Sequence, residues 1–444
     1  MHTSITAGYL TRFRSVTASA DAAAELLPLT GAQRRFLIAR RRAPQSRTDV
    51  VPLFFAYPRG TVDLTQLGAA AGRLAAHHPA LRGGFTTVRG TPVLRLGTPS
   101  VEAVRVAVAP GGTAEDALRG ALLDWPADGP ALRLLLAAAP DDDEELLAVA
   151  LDHAACDEQS LGLVTAGLSA AYAGDEPTGE AGEGDGLAAY REAVELQLAA
   201  EAAAASAAAH AHWAARLGAL GRSGATGEAG DAASGAASGP VARSTGMLSH
   251  RLPPADGAAR GSVFPALLDA VAAAARRLSG PDRVLALGYP WGGRPPGAPP
   301  VLGCFLNTLV HPAPPGPAAG LDALSAAWWD DLDHADTPFD EVVHAARSAG
   351  ASWSGDLDGL LTFEDLHRRP PLVLGGTHGR ETHLAGRPLA APLAVSASHG
   401  TDLLVRLAWD RDRHPDAAAE AAFGALLDTL RAHLSPRAQQ HRAA

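Results

Sequence analysis

Apolar residues recur every three to four positions in several stretches of the chain, which is the spacing of one face of an α-helix. One such stretch begins after Thr30, a favourable helix N-cap, and runs to about Arg41. A second stretch covers Asp63 to His77, with leucines at helical spacing. The same pattern predicts a helix that starts near Leu161 and three further helices, over residues 184–220, 262–278 and 416–434.

Short apolar runs with turn residues between them predict β-strands. Residues 131–139 and 145–151 flank the turn Pro140-Asp-Asp-Asp143, which predicts a strand–turn–strand unit. Further strands are predicted over residues 284–288, 393–398 and 403–409. Because strands and helices mix in both halves of the chain, the predicted fold class is α/β (α+β).

Residues 221–244 consist mainly of glycine, serine and alanine. Such a composition is typical of a flexible linker, and it marks the clearest domain boundary in the sequence. We therefore expect an N-terminal lobe over residues 25–220 and a C-terminal lobe over residues 245–435. Residues 1–24 are predicted to be a loose leader, and residues 436–444 a tail.

The overall charge limits the partners that are expected. The 444-residue chain has a formal net charge of −11, so a nucleic-acid partner is not expected. Cys156 and Cys304 are too few for a disulfide framework and lack metal-site spacing, so no metal is predicted. No apolar stretch has the length of a signal-peptide core or of a membrane helix. The sequence thus predicts a cytoplasmic protein without membrane contact, which we expect to be a monomer.

The segment from Asp152 to Glu158 follows a predicted strand and precedes a predicted helix, and it places His153 among carboxylates. A histidine in this setting can act as a general base near neutral pH, and a half-buried structural histidine fits the same pattern. Asp157 can be a solvated carboxylate at the helix start or the partner of a buried arginine. Cys156 is not favoured as a nucleophile, because no second histidine is near it in sequence.

Six short segments stand in a fixed order along the chain: Leu27-Pro-Leu-Thr-Gly-Ala-Gln33, His77-His-Pro-Ala-Leu-Arg-Gly-Gly-Phe85, Leu151 to Ser160, Gly288-Tyr-Pro-Trp-Gly-Gly-Arg294, Leu302-Gly-Cys-Phe-Leu-Asn307-Thr-Leu309 and Thr337-Pro-Phe-Asp-Glu-Val-Val343. In order and spacing they resemble the motifs of the condensation domains of nonribosomal peptide synthetases, over the chain from Leu26 to Leu434. The third segment occupies the place of the core motif, HHxxxDG. The others look like the opening motif, RHxxLRTxF, GxPxxGR, GxFxNTL and PFExLV.

The resemblance implies two chloramphenicol-acetyltransferase-like lobes in a V shape with a tunnel between them. It also implies a free-standing condensation enzyme of natural-product biosynthesis. Such an enzyme takes an acyl or aminoacyl group from the phosphopantetheine thioester of an acyl or peptidyl carrier protein. The group is transferred to an amine, or less often a hydroxyl, of a small-molecule or carrier-bound acceptor. No bound cofactor is expected, because the phosphopantetheine arm comes with the carrier protein.

The resemblance also implies roles for individual residues. His153 matches the second, functional histidine of HHxxxDG and Asp157 matches its aspartate, so both are candidate catalytic residues. Asp157 is expected to be held by a structural ion pair, with Arg294 as the first candidate partner and Arg82 as the second. The backbone N–H of Glu158 is expected to help stabilise the tetrahedral oxyanion.

Two positions depart from the core motif, since Asp152 replaces the first histidine and Glu158 replaces the glycine. Together with Ser160 and Asn307, they are predicted to bind substrate or line the tunnel. The departures leave three alternatives open. Asp152, Asp157 and Ser160 fit the DxxxxDxxS motif of heterocyclization domains. The second alternative is a condensation-like scaffold with an altered core motif, which only recruits other enzymes. The third is an acyltransferase that takes its acyl group from acyl-CoA and needs no carrier protein.

Overall fold

The computed structural model describes residues 4–18, 25–44, 46–126, 128–175, 183–221, 245–253, 260–280, 282–316 and 320–434. The helices are α1 (Ile5–Val16), α2 (Gly31–Arg42), α3 (Leu64–His77), α4 (Pro79–Arg82), α5 (Ala114–Leu123), α6 (Glu158–Ala173), α7 (Glu183–Ala204), α8 (Ala207–Leu217), α9 (Arg260–Ser279), α10 (Leu321–Leu332), α11 (Phe339–Ser348) and α12 (Asp416–Leu434). The strands are β1 (Leu26–Leu27), β2 (Val50–Pro58), β3 (Gly84–Val88), β4 (Thr91–Arg95), β5 (Glu102–Arg105), β6 (Leu132–Ala137), β7 (Glu144–Asp152), β8 (Thr245–Leu252), β9 (Leu285–Gly292), β10 (Leu306–Ala313), β11 (Gly359–Asp365), β12 (Val373–Leu374), β13 (Thr377–His378), β14 (Arg380–Thr382), β15 (Leu393–His399) and β16 (Leu403–Asp410). Within these ranges, no helix combines the length and the apolarity that crossing a membrane requires.

The described chain forms two compact units, each assembled from three segments. Unit 1 comprises Met1–Ala203, Gly292–Leu306 and Arg368–Leu384, and unit 2 comprises Ala204–Trp291, Asn307–His367 and Ala385–Ala444. The predicted lobes were continuous stretches, so their boundaries differ from those of the units: α8 belongs to unit 2, and two later segments belong to unit 1. Residues 222–244 of the predicted linker and the predicted tail, residues 436–444, lie outside the described residues.

Helix α1 occupies part of the predicted loose leader, and that prediction is wrong for residues 5–16. Ser4 caps the helix by accepting a hydrogen bond from Ala7 N at 3.1 Å. The buried Tyr9 hydroxyl accepts a hydrogen bond from Leu29 N at 2.7 Å and donates one to Pro92 O at 3.0 Å. A buried tyrosine therefore attaches this helix to two other parts of unit 1.

Unit 1 contains a five-stranded sheet in the order β14-β2-β7-β6-β5. Strand β7 pairs antiparallel with both β2 and β6, which confirms the predicted strand–turn–strand unit. Successive side chains of a strand point to opposite faces. Leu147, Val149 and Leu151 accordingly lie in one core with α3 and α6, whereas Ala148 and Ala150 lie in another with α5. Since both faces of β7 are covered, its residues 146–151 form an unbroken apolar run that ends at Asp152, the first polar residue of the site.

Helices α2 and α3 begin where the sequence predicts. Thr30 Oγ1 accepts a hydrogen bond from Gln33 N at 3.3 Å while Gln33 Oε1 accepts one from Thr30 N at 3.0 Å, a reciprocal capping box. Asp63 caps α3 by accepting hydrogen bonds from Thr65 N at 2.8 Å and Gln66 N at 3.0 Å. These local hydrogen bonds fix the start of α2, which carries part of the site.

The stretch 184–220, predicted as one helix, forms two helices, α7 and α8. Ser206 caps α8 by accepting a hydrogen bond from Ala209 N at 3.1 Å. A serine side chain that bonds the backbone in this way competes with continuation of the preceding helix. The single-helix prediction is therefore wrong at Ser206, although the residues on both sides are helical as expected.

Unit 2 contains a six-stranded sheet in the order β10-β9-β11-β15-β16-β8. Strand β11 is parallel to β9 and β15, whereas β16 pairs antiparallel with both β15 and β8. Helices α9 and α12 share a core with the sheet through Leu267, Leu426, Val395 and Leu407. The predicted strands near 393–398 and 403–409 are confirmed, and α12 covers the predicted residues 416–434.

Candidate functional site

The loop between β7 and α6 in unit 1 carries the candidate catalytic residues. Asp152 is the last residue of β7, and Asp157 is the N-cap of α6. Between them, Ala155 N donates to Asp152 O at 2.8 Å, which forms a tight turn. The backbone N–H of His153 donates to Asp49 O, also at 2.8 Å. These hydrogen bonds fix the position of His153 relative to the sheet.

His153 is oriented by one hydrogen bond and one stacking contact. Its Nδ1 lies 3.1 Å from Cys156 O, and because a carbonyl oxygen only accepts hydrogen bonds, Nδ1 carries the proton and Nε2 keeps its lone pair. The ring stacks on Phe36 with centroids 4.2 Å apart and an interplanar angle of 24°. Burial lowers the pKa of His153, although the hydrogen bond to Cys156 O opposes this effect. The neutral imidazole with an unprotonated Nε2 is the form that a general base requires.

Asp152, the first of the two residues at which the sequence departs from the HHxxxDG motif that it resembles, belongs to a half-buried network. Arg40 Nη2 donates to Oδ1 and Oδ2 of Asp152 at 2.7 Å, and Arg40 Nε donates to Asp49 Oδ2 at 2.5 Å. Asp152 Oδ1 also accepts a hydrogen bond from Ala154 N at 2.9 Å. The carboxylate thus ties α2 to the end of β7. Substrate binding by Asp152 stays a prediction.

Introducing the first histidine of the HHxxxDG pattern by Asp152→His is expected to destabilise the protein rather than activate it. The imidazole lacks the two carboxylate oxygens that Arg40 contacts, so Arg40 would lose this pair in a half-buried position while its pair with Asp49 stays. Losing a charge-assisted partner costs about 1.5–3 kcal/mol, which for a unit of this size lowers the thermal midpoint by roughly 3–12 °C. The measurement compares the thermal midpoints of the wild-type protein, Asp152→His and Asp152→Asn. A variant as stable as wild type, with faster acyl transfer, would contradict the structural role of Asp152.

Asp157 is the buried centre of a second network. Arg294 Nη1 lies 2.7 Å from both carboxylate oxygens, Phe305 N donates to Oδ2 at 2.9 Å, and Ser160 N donates to Oδ1 at 3.0 Å. Arg294 Nη2 additionally donates to Val301 O at 2.7 Å. These contacts join the start of α6 to the segment Gly292–Leu306, which returns to unit 1 from later in the chain. Through these contacts, Asp157 holds the end of the loop that carries His153.

Ser160 belongs to the same network, and its predicted contact with substrate is corrected. Its side chain is fully buried. The Oγ atom lies 2.8 Å from Gly303 O and 2.9 Å from Asp157 Oδ1, and it accepts hydrogen bonds from Gly303 N at 3.1 Å and Arg294 Nη2 at 3.0 Å. With its hydrogen-bonding capacity used inside the fold, Ser160 is a structural residue.

No protein-family model matches the chain. One curated relative, the probable non-canonical nonribosomal peptide synthetase CymA of Salinispora arenicola (strain CNS-205), is 32% identical over 156 residues. This match covers 34% of the present chain and 2% of CymA.

Solved structures match almost the whole chain. A mutant of the starter condensation domain of rhizomide synthetase RzmA, in complex with C8-CoA, has a TM-score of 0.69 at 17% identity, covering 94% of this chain and 96% of that one. The first condensation domain of the CDA synthetase has a TM-score of 0.64 at 17% identity, covering 93% and 97%. This chain has the condensation-domain fold. The X-domain from teicoplanin biosynthesis has it as well, with a TM-score of 0.63 at 19% identity over 92% and 95% of the two chains.

Within this condensation-domain fold, the partner of Asp157 is Arg294, the first of the two predicted candidates. Arg82, the second candidate, makes no ion pair with Asp157 among the residues that the structure describes; it lies at the end of α4 with its guanidinium half-buried. The choice of Arg82 as the partner is therefore wrong. Glu158 is exposed in the first turn of α6, where the helix dipole is positive.

Asn307, the single asparagine of the chain, lies in unit 2. Its Nδ2 donates to Ala335 O at 2.8 Å and to Thr337 O at 2.6 Å, and its Oδ1 accepts a hydrogen bond from Thr308 N at 2.9 Å. The amide thereby joins the start of β10 to the turn that precedes α11. Its predicted contact with substrate stays a prediction.

The two cysteines are fully buried. Burial raises the pKa of the Cys156 thiol well above its usual value, and it does the same for Cys304. A protonated, buried thiol is a poor nucleophile. The structure thus gives a physical reason for not assigning Cys156 the role of nucleophile.

Helix α2 contributes residues to the site that were not predicted from the sequence. Gln33, Phe36 and Arg40 lie three and four positions apart, so they share one face of the helix. Gln33 Nε2 donates to Ala154 O at 2.9 Å, Phe36 stacks on His153, and Arg40 pairs with Asp152. The polar and aromatic residues on one helical face were the available signal.

Proposed function

We propose that this chain is a condensation-type acyltransferase of nonribosomal peptide assembly. It transfers an acyl or aminoacyl group from the phosphopantetheine thioester of an acyl or peptidyl carrier protein to an amine or hydroxyl acceptor. The observation that carries the proposal is the state of His153, which is neutral, oriented through Nδ1 and able to accept a proton at Nε2. The likeness in fold to condensation domains supports it, and one of those domains is in complex with C8-CoA.

In the proposed reaction, the acceptor nitrogen attacks the carbonyl carbon of the thioester, and Nε2 of His153 accepts the proton that the nitrogen loses. The C–N bond forms, the C–S bond breaks, and the phosphopantetheine thiol leaves with that proton. The positive end of the α6 dipole, at the backbone N–H of Glu158, stabilises the oxyanion of the tetrahedral intermediate. Because a thioester is already reactive, alignment and one well-placed base supply much of the acceleration.

The proposal is tested by offering the protein two kinds of donor with a panel of amino acids as acceptors. The donors are carrier proteins with an octanoyl or an aminoacyl phosphopantetheine arm, and the corresponding acyl-CoA thioesters. Intact-protein mass follows loss of the acyl group from the arm, and the product mass identifies the new bond. Amide or ester formed from the carrier-bound donor supports the proposal. Transfer from the CoA thioester alone would instead establish an acyl-CoA-dependent acyltransferase.

The second candidate function is a condensation-like scaffold that recruits other enzymes. The observation that favours it is the Arg40–Asp152 pair, because a structural carboxylate occupies the place of the first histidine of the core motif. The exposed Glu158 in place of the glycine is a second departure. Binding of a carrier protein or partner enzyme without any transfer, unchanged by His153→Ala, would establish this function over the first.

Heterocyclization is favoured less by the site. Its motif residues Asp152, Asp157 and Ser160 are each tied to Arg40 or Arg294 in structural networks. His153, which heterocyclization domains normally lack, is present and oriented. In the same assay with cysteine, serine or threonine as acceptor, a product lighter by one further water would establish cyclization.

The acid limb of the pH–rate profile is expected to lie below pH 6.5, the ordinary pKa of histidine. Because burial lowers the pKa of His153, the base stays neutral at pH values where an exposed histidine is half protonated. Expressed per unprotonated acceptor amine, kcat/KM should therefore be level between pH 7 and about 6.5 and fall only at lower pH. Measurement from pH 5 to 8, with His153→Gln as the control that lacks the limb, checks this. A wild-type limb above pH 6.5 would contradict it.

A further inference from the structure

Two parallel strands of unit 2 end side by side at an aspartate and a histidine. Asp365 is the last residue of β11 and His399 the last residue of β15, and the two are register partners. Directly after β11 the chain forms a 3-10 helix, Leu366–Arg368, which carries His367. In sheets with parallel strands, ligands bind at the carboxyl ends of the strands. Three side chains that can ligate a metal ion therefore meet at such an edge.

The donor atoms of the three side chains are close together. One ligand atom from each of Asp365, His367 and His399 lies within 4.8 Å of the others, and His399 Nδ1 is 4.0 Å from Asp365 Oδ1. In a tetrahedral site with bonds of about 2.0–2.1 Å, donor atoms lie roughly 3.3 Å apart. Closing the site thus requires a movement of roughly 1.5 Å at most, estimated from that geometry. Rotation of the exposed His367 side chain provides it.

The surroundings hold two of the three donors in place. Asp365 Oδ1 accepts a hydrogen bond from His367 N at 3.2 Å, which orients the carboxylate. The His399 ring stacks against Phe363 with centroids 6.3 Å apart and an angle of 28°. A pocket lined by Val263, Phe363, Asp365 and His399 opens at this position. One donor is exposed and two are half-buried, so an ion can reach the site from solvent.

The residues next to the donors form a separate network on the other face of the strands. Glu364 and Ser398 precede Asp365 and His399, so their side chains point to the opposite face. Ser398 Oγ donates to Glu364 Oε2 at 3.0 Å and accepts a hydrogen bond from Arg406 Nη2 at 2.9 Å. On this face of the sheet, the cation Arg406 therefore lies beside the carboxylate of Glu364. On the opposite face, the carboxylate of Asp365 lies beside the two imidazoles of the proposed site.

We propose that Asp365, His367 and His399 form a binding site for a divalent transition-metal ion, with Zn²⁺ as its representative. Two imidazole nitrogens with one carboxylate oxygen suit Zn²⁺ and its neighbours rather than Mg²⁺ or Ca²⁺, which prefer oxygen ligands. Three protein ligands leave a fourth position for water. The bound ion links the ends of β11 and β15 through the 3-10 helix. The spacing of the two cysteines predicted no metal, whereas His399 lies far in sequence from the other two ligands here and meets them only because β11 pairs with β15.

In the test, the full chain is treated with EDTA and then titrated with a metal ion. Calorimetry measures the binding of Zn²⁺. In a separate titration, the visible absorption of Co²⁺ reports coordination by nitrogen and oxygen. Asp365→Asn, His367→Gln and His399→Gln each remove one ligand while keeping side-chain size. His378→Gln, an exposed histidine in unit 1, is the matched control. We expect one equivalent of Zn²⁺ per wild-type chain and an affinity at least about tenfold lower in each ligand variant, by analogy with losses at metal sites. The control should bind as wild type does.

Circular dichroism and metal-free thermal unfolding show whether each variant is folded, and Zn²⁺ should raise the thermal midpoint of wild type and control alone. Equal binding in wild type and all three ligand variants would overturn the proposal, as would a wild-type chain that takes up no equivalent of Zn²⁺ or Co²⁺. Because His153 is not a ligand, His153→Ala should bind Zn²⁺ like wild type. Failure of the proposed acyl transfer therefore leaves this test intact.

Discussion

His153→Ala is expected to lower kcat/KM for acyl transfer about 10²- to 10⁴-fold, the range typical of losing a general base, while the protein stays folded. The side chain makes one hydrogen bond, to Cys156 O, and one stacking contact, with Phe36. The loop itself is held by backbone hydrogen bonds and by the two arginine–aspartate pairs, which the substitution leaves in place. The rate of acyl transfer from the acylated carrier protein, measured for the wild type and for His153→Ala, tests the loss of activity. The thermal midpoints of the same two proteins test whether the variant stays folded.

His78→Gln is the matched control for this experiment. His78 is a half-buried histidine of unit 1 whose pKa burial lowers to about 4, so it is neutral at the assay pH as His153 is. Its ring contacts His77. We expect His78→Gln to transfer acyl groups at close to the wild-type rate. A loss of activity in both variants would indicate a general disturbance of unit 1 rather than a chemical role for His153.

His153→Gln distinguishes a base from a residue that only positions the acceptor. Glutamine can accept a hydrogen bond from the acceptor amine, but it cannot take up the proton. If His153 is the base, the glutamine and alanine variants should be similarly slow, and neither should show the acid limb of the pH–rate profile. A glutamine variant within a few fold of wild type would assign His153 a positioning part instead.

The elements that frame this site could be predicted because their signals are local. Thr30 and Asp63 each cap a helix within three residues, and the apolar run of β7 ends at Asp152 in the sequence itself. The family resemblance implied an ion pair of Asp157 with an arginine, and Arg294 was the first of its two candidate partners. The split of each unit into three segments was not, because no feature of Gly292–Leu306 or Arg368–Leu384 marks a return to unit 1.

The partner of Asp152 could not be predicted for a different reason. Arg40 and Asp152 are 112 positions apart. The chain contains 37 arginines and no lysine, so every carboxylate has many candidate partners of identical chemistry. Only the packing of α2 against the end of β7 selects one of them. Likewise, the sequence leaves the protonated nitrogen of His153 open, and the position of Cys156 O decides it.

Arg294→Ala is expected to be the most destabilising of the substitutions at this site, by about 3–5 kcal/mol, the cost of leaving a buried charge without its partner. Arg294 contacts Asp157, Ser160 and the carbonyls of Val301 and Gly303. For a unit of this size, the thermal midpoint should fall by roughly 6–20 °C. Arg294→Lys keeps the charge but not the planar fork of donors, so we expect an intermediate loss.

Hydrogen exchange places this loss in the structure. Phe305 N donates to Asp157 Oδ2, so its amide and that of Ser160 should exchange faster in Arg294→Ala and in Asp157→Ala. The double variant should lose less stability than the sum of the two single ones, because the second change removes a partner that is already lost. Arg380→Ala is the control, since it breaks an exposed pair with Glu144 in the same unit and should cost less than about 1 kcal/mol. Additive losses, or an effect of Arg294→Ala no larger than that control, would show that the pair does not hold the loop, and the support of His153 would then rest on Arg40 and Asp152.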